Sequence, residues 1–519
     1  MDQRAHRAMV VGCAIACAFA VLCGCGSTTD PNDPNDPNDP NDPNDPNDPN
    51  PTIPDEFEVR LVANGNVTGM QRVNFAVPMP IATQSDAALR VVAGGAELPS
   101  ARRVLASYAD GSVRSVQVQV DVDITAHQAL TIQLRTASAT IELVPVAQTL
   151  SGTGNNVAPK VFALLPTDVL TGSVLAGPIA PKPTVAGTPL DAWSALCDYA
   201  AWDTDAFLVS SAASRDVWLF DRVTAMYRGY AMTGDVVPLR SAYREAAIYQ
   251  AGMTIANGVA TNIAVPGAQT DLKYYYSQGM ALHYLLTGDD RFREAAEAIS
   301  AKIVTMWDPN YDGTDEFWTE RHAGFALLAH EWATIVSDDK AATIAARSDA
   351  AVTAFLAAQM APRFGQTDTD ARCFAHTATA HGEDWGGNGC SPWMSAILAD
   401  ALDAHARRVG GERATQVNAA LARLGKIVAR DGRDSTGRPL YWMGVGTSAD
   451  QIDDYDEHWG ESAYIVALAW NATGRSDASL KSAADALVLG VRDHGEVGQV
   501  RSFNWQCRSS VMAPALLRQ

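Results

Sequence analysis

Hydrophobic and polar positions alternate with a period of two along residues 56–148, then recur at helical spacing from about residue 191 to the end. The first region contains the runs EFEVRLVANG, RVNFAVPMP, ALRVVAGG, VRSVQVQVDVDI, QALTIQLRT and ATIELVPV, rich in Val and separated by Gly, Asp and Pro turns. This pattern predicts a small all-β sandwich or barrel over residues 55–148. Within it, Tyr108–Arg114 reads YADGSVR, a hairpin with Asp110-Gly111 at the turn. Few polar groups converge there, so a structural or accessory role is expected. Residues 149–190, rich in Gly, Pro and Thr, read as a connection.

Over residues 191–519 one theme repeats: an apolar helix, a short turn, then an Ala-rich helix. FDRVTAMYRGYAMTGD precedes VPLRSAYREAAIYQAGM, and SQGMALHYLLTGDD precedes RFREAAEAISAKIV. HAGFALLAHEWATIVSDD, WMSAILADALDAHARRVGG and ESAYIVALAWNATGR each open a similar pair, and RSSVMAPALLRQ closes the chain. The first helix of each pair is apolar nearly all round and so belongs inside. The second has one Ala/Leu face and belongs outside. Alternating inner and outer helices predict a mainly α architecture, an (α/α)6-type toroid of about six pairs, with an open solenoid as the structural alternative.

Turns from inner to outer helices are short, whereas the loops returning to inner helices are long and carry the unusual residues. Long loops within compact domains are commonly functional. They would emerge together at the N-termini of the inner helices, where backbone N–H groups favour anions. That face would collect DLKYYYSQ (271–278), DEFWTERHAG (315–324), HGEDWGGNGCSPW (381–393) and DDYDEHWGES (453–462). The densest stretch, residues 376–394, crowds His, Glu, Asp, Trp and Cys onto a Gly-rich loop that feeds a buried helix.

The ends and the composition add context. Residues 1–25 have Arg4 and Arg7, an apolar run and then small residues, as in a secretory signal peptide. Leu22-Cys23-Gly24-Cys25 resembles a bacterial lipobox, which implies that Cys25 is the lipidated residue. An ordinary cleaved signal peptide is the alternative. Gly26 follows where an inner-membrane retention signal would have Asp, so an exported lipoprotein of the outer membrane or cell surface is expected. Seven Asp-Pro-Asn copies over residues 30–50 make 26–54 a disordered tether. The formal charge of −20 argues against nucleic acid, whose phosphates need Lys and Arg. Membrane contact is expected only through the lipid anchor. Of eight cysteines, Cys197, Cys373, Cys390 and Cys507 lie beyond the signal, an even number that permits disulfides in an exported protein. Cys373 and Cys390 bracket the Gly-rich loop, so a bridge there would staple its base. No spacing gives a strong metal-ligand motif, so no cofactor is expected, with Ca²⁺ or Zn²⁺ held by His381, Glu383 and Asp384 as the alternative.

Two short motifs in the β region and several in the helical region resemble the rhamnogalacturonan exolyase-like group. The group's β domain carries a VPxP turn and a DGSVRW hairpin, matched by Val77-Pro78-Met79-Pro80 and by Asp110–Arg114, with Ser115 in place of the Trp. The Tyr-rich start of an inner helix, the Arg321-His322 pair and Pro392-Trp393-Met394 are also similar. The resemblance spans about residues 60–500 and implies polysaccharide cleavage by an (α/α)-toroid lyase with an N-terminal β domain.

A lyase eliminates across C4–C5 of a uronic acid: the carboxylate is neutralised, a base removes the C5 proton, and an acid protonates the leaving oxygen. Arg321 is a natural carboxylate clamp, planar and permanently charged. His322, His381 and His458 are candidate bases, and Tyr275 is a candidate acid if a cation such as Lys273 lowers its pKa. Lys273, Tyr276, Trp385, Trp393, Tyr455, Trp459 and Glu461 are candidate substrate-binding residues. A glycoside hydrolase is the rival enzyme, with Glu383, Asp384, Glu457 and Glu461 as carboxylates. A non-catalytic glycan-binding lipoprotein is the third reading, its Trp residues gripping sugar without turnover.

Overall fold

The computed structural model describes residues 52–209, 214–263, 265, 268–310, 318–361, 364–452 and 457–518. Alternating burial builds the first part. In β1 (Glu56–Ala63), Phe57, Val59 and Leu61 point inward while their neighbours face solvent. There follow β2 (Met70–Pro78), β3 (Leu89–Ala93), β4 (Ala96–Leu98), β5 (Ser100–Ser107), β6 (Val113–Asp123), β7 (Ala129–Leu134) and β8 (Val161–Leu164). They form two antiparallel sheets, one ordered β8-β1-β7-β3-β4 and the other β2-β6-β5. The predicted hairpin joins β5 to β6: Gly111 is left-handed at φ 83°, and the Asp110 carboxylate accepts from the backbone N–H and hydroxyl of Ser112.

Two segments depart from the sequence expectation. β8 lies inside the stretch read as a connection, yet it pairs with β1 from Arg60↔Leu164 to Ala63↔Val161. The same stretch also holds short helices at Thr167–Gly172 and Lys182–Val185. Conversely, ATIELVPV forms no strand. Gln119 on β6 occupies its backbone instead, accepting from Val144 N–H and donating to Val144 C=O. A buried polar side chain takes the place of a strand partner.

The helices fall into the five expected pairs: α1 (Arg222–Thr233) with α2 (Val236–Ala251), α3 (Ser277–Thr287) with α4 (Asp290–Ile303), and α5 (Glu320–Val336) with α6 (Ala341–Met360). The series continues with α7 (Pro392–Val409) and α8 (Gly411–Asp431), then α9 (Trp459–Ala472) and α10 (Ala478–His494), before α11 (Val500–Ser509). Every residue of α3 is buried, whereas α8 buries one stripe, including Val417, Leu421, Leu424 and Val428. The first helices of successive pairs pack on one another, and α11 packs against both α9 and α1. A Cys197–Cys507 disulfide ties α11 to the segment that precedes α1.

Charges buried among the inner helices were not read from the sequence. Asp400 of α7 meets Arg228 of α1 at 2.9 Å and Arg508 of α11 at 3.1 Å, and Arg508 also donates to Gln278 of α3. Arg222 and Glu245, both without exposed side-chain surface, pair at 2.8 Å. These partners sit on different helices, so the desolvation of each charge is offset only when the helices are in register.

The β part caps the helical part through polar groups. The C-terminal carbonyls of a helix have no partner within it. At α3 they are met by the second sheet: Asn74 donates to Thr287 C=O at 2.8 Å, Ser115 to Leu285 C=O at 2.6 Å, and Gln117 to both Asn74 and Thr287 C=O. The closeness demands glycine at 288, which is left-handed at φ 71° and would place a Cβ 2.2 Å from Gln117. Ser115, where the resembled group carries Trp, fits this approach because its small hydroxyl is itself the cap. Replacing Asn74 with Ala removes one of the two donors to Thr287 C=O and the acceptor shared by the Gln117 and Gln119 amides. The expected loss is about 2 kcal/mol, read from denaturant unfolding, and a change below about 0.5 kcal/mol would contradict the role.

Candidate functional site

Aromatic rings gather where the inner helices begin. Pro392 fills a first-turn position of α7, where its missing N–H costs nothing, and sets Trp393 beside it. Trp393 lies parallel to His458, which precedes α9, with ring centroids 5.2 Å apart and planes 8° apart. Trp505 of α11 stands 5.9 Å from Trp393 and 5.7 Å from His458, and Phe220, just before α1, meets both indoles edge-on. Tyr441 adds its ring 5.7 Å from Trp393. Residues from four returning segments thus share one aromatic floor.

A small antiparallel sheet holds the rim. Its strands are β9 (His376–Thr377), β10 (Asn388–Cys390), β11 (Leu440–Gly444) and β12 (Gln451–Ile452). Cys373 and Cys390 are joined by a disulfide at its base. Gly389 has no room for a side chain, since a Cβ would lie 2.3 Å from Met443 C=O and against the Trp442 ring. That close approach carries Trp385 on the Gly-rich loop to within 6.2 Å of both Tyr441 and Trp442.

Charge is concentrated on one side of this floor. Thr319 caps α5 by accepting from His322 N–H, which fixes Arg321 and His322 in the first turn. The Arg321 guanidinium lies 5.7 Å from the Trp393 ring centroid, a cation–π distance. Its Nε is buried with no hydrogen-bond partner, and Arg321 makes no ion pair among the described residues. Burial lowers its pKa, with Asp271, Tyr441, Tyr274 and Glu320 opposing. Beside it, Lys273 pairs with Asp271 at 3.0 Å, and burial and the field of Arg321 lower the lysine's pKa. Burial works against the Asp271 carboxylate, but His322 and Lys273 outweigh it and hold its pKa at about 2. Glu320 points inward, accepting from Ser391 N–H at 3.0 Å and meeting His376 at 2.6 Å. Glu383 is half-buried, and burial and Asp384 raise its pKa while Arg321 opposes them.

The structure therefore brings Arg321, Lys273, Glu383, Trp385, Trp393 and His458 into one region and reassigns several other candidates. The Tyr275 hydroxyl donates to Gln269 C=O at 2.8 Å, and burial raises its pKa, so no cation among the described residues activates it. Tyr276 is buried, donates to Trp218 C=O and accepts from Phe220 N–H; it is packing, not a sugar contact. His322 is only 3% exposed and is held by Thr319 Oγ1 at 2.8 Å, with Asp271 3.7 Å from its Nε2. It supports Asp271 from behind. Trp459 is laid over Gly490 of α10 and stacked on His494 at 5.5 Å, between its own helix and the outer one. Glu461 is 1% exposed, and Glu457 accepts from Ser502 at 2.6 Å. Tyr455, the side chain of His381, residues 315–317 and the lipidation candidate Cys25 lie outside the described residues.

Sequence reasoning missed Tyr274, Tyr441 and Trp505. In the run Tyr274-Tyr275-Tyr276 composition cannot distinguish the three rings. Only Tyr274 leaves its hydroxyl without a hydrogen bond among the described residues, in the field of Asp271, Arg215, Asp216 and Arg321. Burial and Asp271 push its pKa up to about 12. For metal binding, Glu297, Asp338 and Asp339 cluster away from this floor, but Lys340 and Arg293 already neutralise them at 2.6 and 2.7 Å. Compared with protein-family models, curated proteins and solved structures, the chain matches none.

Burial sets the acid response of the whole helical part. It depresses the pKa of His283 to about 3 and those of His322 and His330 to about 4, from an ordinary 6.5. The folded state then binds fewer protons than the unfolded one between these values, so the stability they contribute is complete above pH 6.5 and drains away as pH falls toward 4. Melting temperature is expected to drop steadily from pH 7 to pH 4. A flat profile over that range would show that these rings are solvated.

Proposed function

We propose that this chain is a polysaccharide lyase that cleaves a uronic-acid-containing polymer by β-elimination on the aromatic floor. The observation that carries the reading is Arg321: a half-buried guanidinium set against an indole face, with no ion pair among the described residues. Such a cation lacks a counter-charge that a sugar carboxylate supplies, and its planar fork suits carboxylate geometry. Neutralising that carboxylate makes the C5 proton acidic. Glu383, whose raised pKa makes it a stronger base than a solvated carboxylate, removes the proton. The electron pair forms the C4–C5 double bond, the C4–O bond breaks, and the Tyr274 hydroxyl protonates the departing oxygen. His322 holds Asp271 and, through it, Lys273 in place beside Arg321.

The reading takes the helical part as a closed (α/α) toroid, supported by the packing of α11 against both α9 and α1. It takes the β part as an accessory domain and Cys25 as a lipid anchor that leaves the enzyme at the cell surface. The group resembled by the motifs points to the same chemistry. A glycoside hydrolase remains the second reading because a carboxyl with a raised pKa also suits a general acid. Of the four carboxylates that reading names, however, Glu457 is engaged by Ser502 and Glu461 is enclosed, which leaves two neighbours on one loop.

Arg321→Ala is expected to lower kcat/KM by about 10²–10³-fold, the loss typical of a preorganised donor at developing charge. Less than about threefold would remove Arg321 from the site. The base must be ionised, so activity falls as pH drops through the raised Glu383 value. The acid limb of kcat/KM is expected above the ordinary 4.5, and it should vanish in Glu383→Gln along with turnover. An acid limb below 4.5 would assign the base elsewhere.

A further inference from the structure

The aromatic floor carries a second guanidinium that elimination at a single uronate does not use. Arg501, in the first turn of α11, lies 5.4 Å from the centroid of Trp505. Like Arg321, it is half-buried, its Nε is buried without a hydrogen-bond partner, and it makes no ion pair among the described residues. The indole Nε1 of Trp505 is likewise a buried donor with no acceptor. Glu457, on the segment that precedes α9, accepts from Ser502 of α11.

The two halves mirror each other. Arg321 covers Trp393 and Arg501 covers Trp505, while the two indoles lie 5.9 Å apart and both flank His458. Each arginine rides on the first turn of a helix, where the backbone dipole adds positive potential. Buried donors without acceptors are rare, and each needs a partner. The unmatched groups on Arg321, Arg501 and Trp505 are all donors, and the two arginines bear charge. The matching ligand is rich in acceptors and carries negative charge in two places.

We propose that Arg501 forms a second acid-recognising subsite, so that the site takes a polymer with acidic groups on adjacent or alternate sugar units, not an isolated uronate within a neutral chain. This rests on the uronate reading of the Arg321 site and deepens it into a substrate class. One acidic group seats on Arg321 for reaction, and a second on the same chain pairs with Arg501. The half-buried Trp505 ring, tilted 43° to the buried Trp393, lies under the sugar next to Arg501. A polymer with widely spaced acids leaves one guanidinium desolvated and unpaired and binds more weakly.

The test measures calorimetric affinity of the full mature chain for trimers of galacturonate, glucuronate and mannuronate, and for the same trimers with all but one carboxyl reduced to the alcohol. Wild type is expected to bind at least one fully acidic trimer on the order of tenfold more tightly than its single-acid counterpart, the value of one charge-assisted contact. Arg501→Gln should abolish that ratio while leaving affinity for the single-acid trimer and the melting temperature unchanged, and Arg501→Lys should restore part of it. An unchanged ratio in Arg501→Gln, or no Arg501-dependent binding of any trimer, overturns the proposal. The two readings fail separately. A ratio that depends on Arg501 with no unsaturated product keeps the double grip and removes the lyase. Elimination with an unchanged KM in Arg501→Gln keeps the lyase and removes the second subsite.

Discussion

A helix buried on every side can present chemistry only at its ends. α3, α5, α7 and α9 are enclosed along nearly their whole length, so their polar backbone groups meet the outside at two places. At the C-terminal end of α3, side chains of the β part take up the free carbonyls through Asn74, Ser115 and Gln117. The N-terminal ends, with their free N–H groups and positive potential, are left to the long returning segments. The division of labour between the two parts of the chain follows from that constraint. At α3 the C-terminal end is closed by amide and hydroxyl caps, while the N-terminal ends of the inner helices meet the returning segments.

Burial also decides which titratable groups remain available for chemistry. The same enclosure that neutralises His283, His322 and His330 removes them from the surface of the site, so histidines that look reactive in the sequence act as neutral donors and props. Charges that stay buried do so in cross-helix pairs such as Arg228–Asp400 and Arg222–Glu245. Against that background Arg321 and Arg501 stand apart, because each is partly desolvated yet has no acidic partner among the described residues. Aromatic faces beneath them compensate in part, and only an anion would complete the compensation.

The helical pairs were legible because all-round apolarity against one-sided apolarity is written directly in the residue order, and the Gly234 and Gly288 turns punctuate it. The strands of β1, β2, β6 and β7 were legible for the same reason. The ATIELVPV run and β8 were not, since each depends on a distant partner: Gln119 occupies the first, and β1 recruits the second. At the site, residue type pointed to Arg321, Trp393 and Lys273, which the fold brings near one another. Orientation decided the rest. Three consecutive tyrosines differ only in where their hydroxyls end, and Trp459 faces the outer helix because Gly490 leaves room for its ring. Trp505 was passed over because the closing helix carried no loop signature.

The account centres on elimination at a uronate held by Arg321. The most direct measurement incubates the protein lacking residues 1–50 with a panel of acidic and neutral polysaccharides and follows ultraviolet absorbance together with new reducing ends. A rise in both, confined to uronate polymers, is the predicted result, because elimination leaves a conjugated C4–C5 double bond at each cut. Reducing ends without absorbance would mean hydrolysis and would contradict the account.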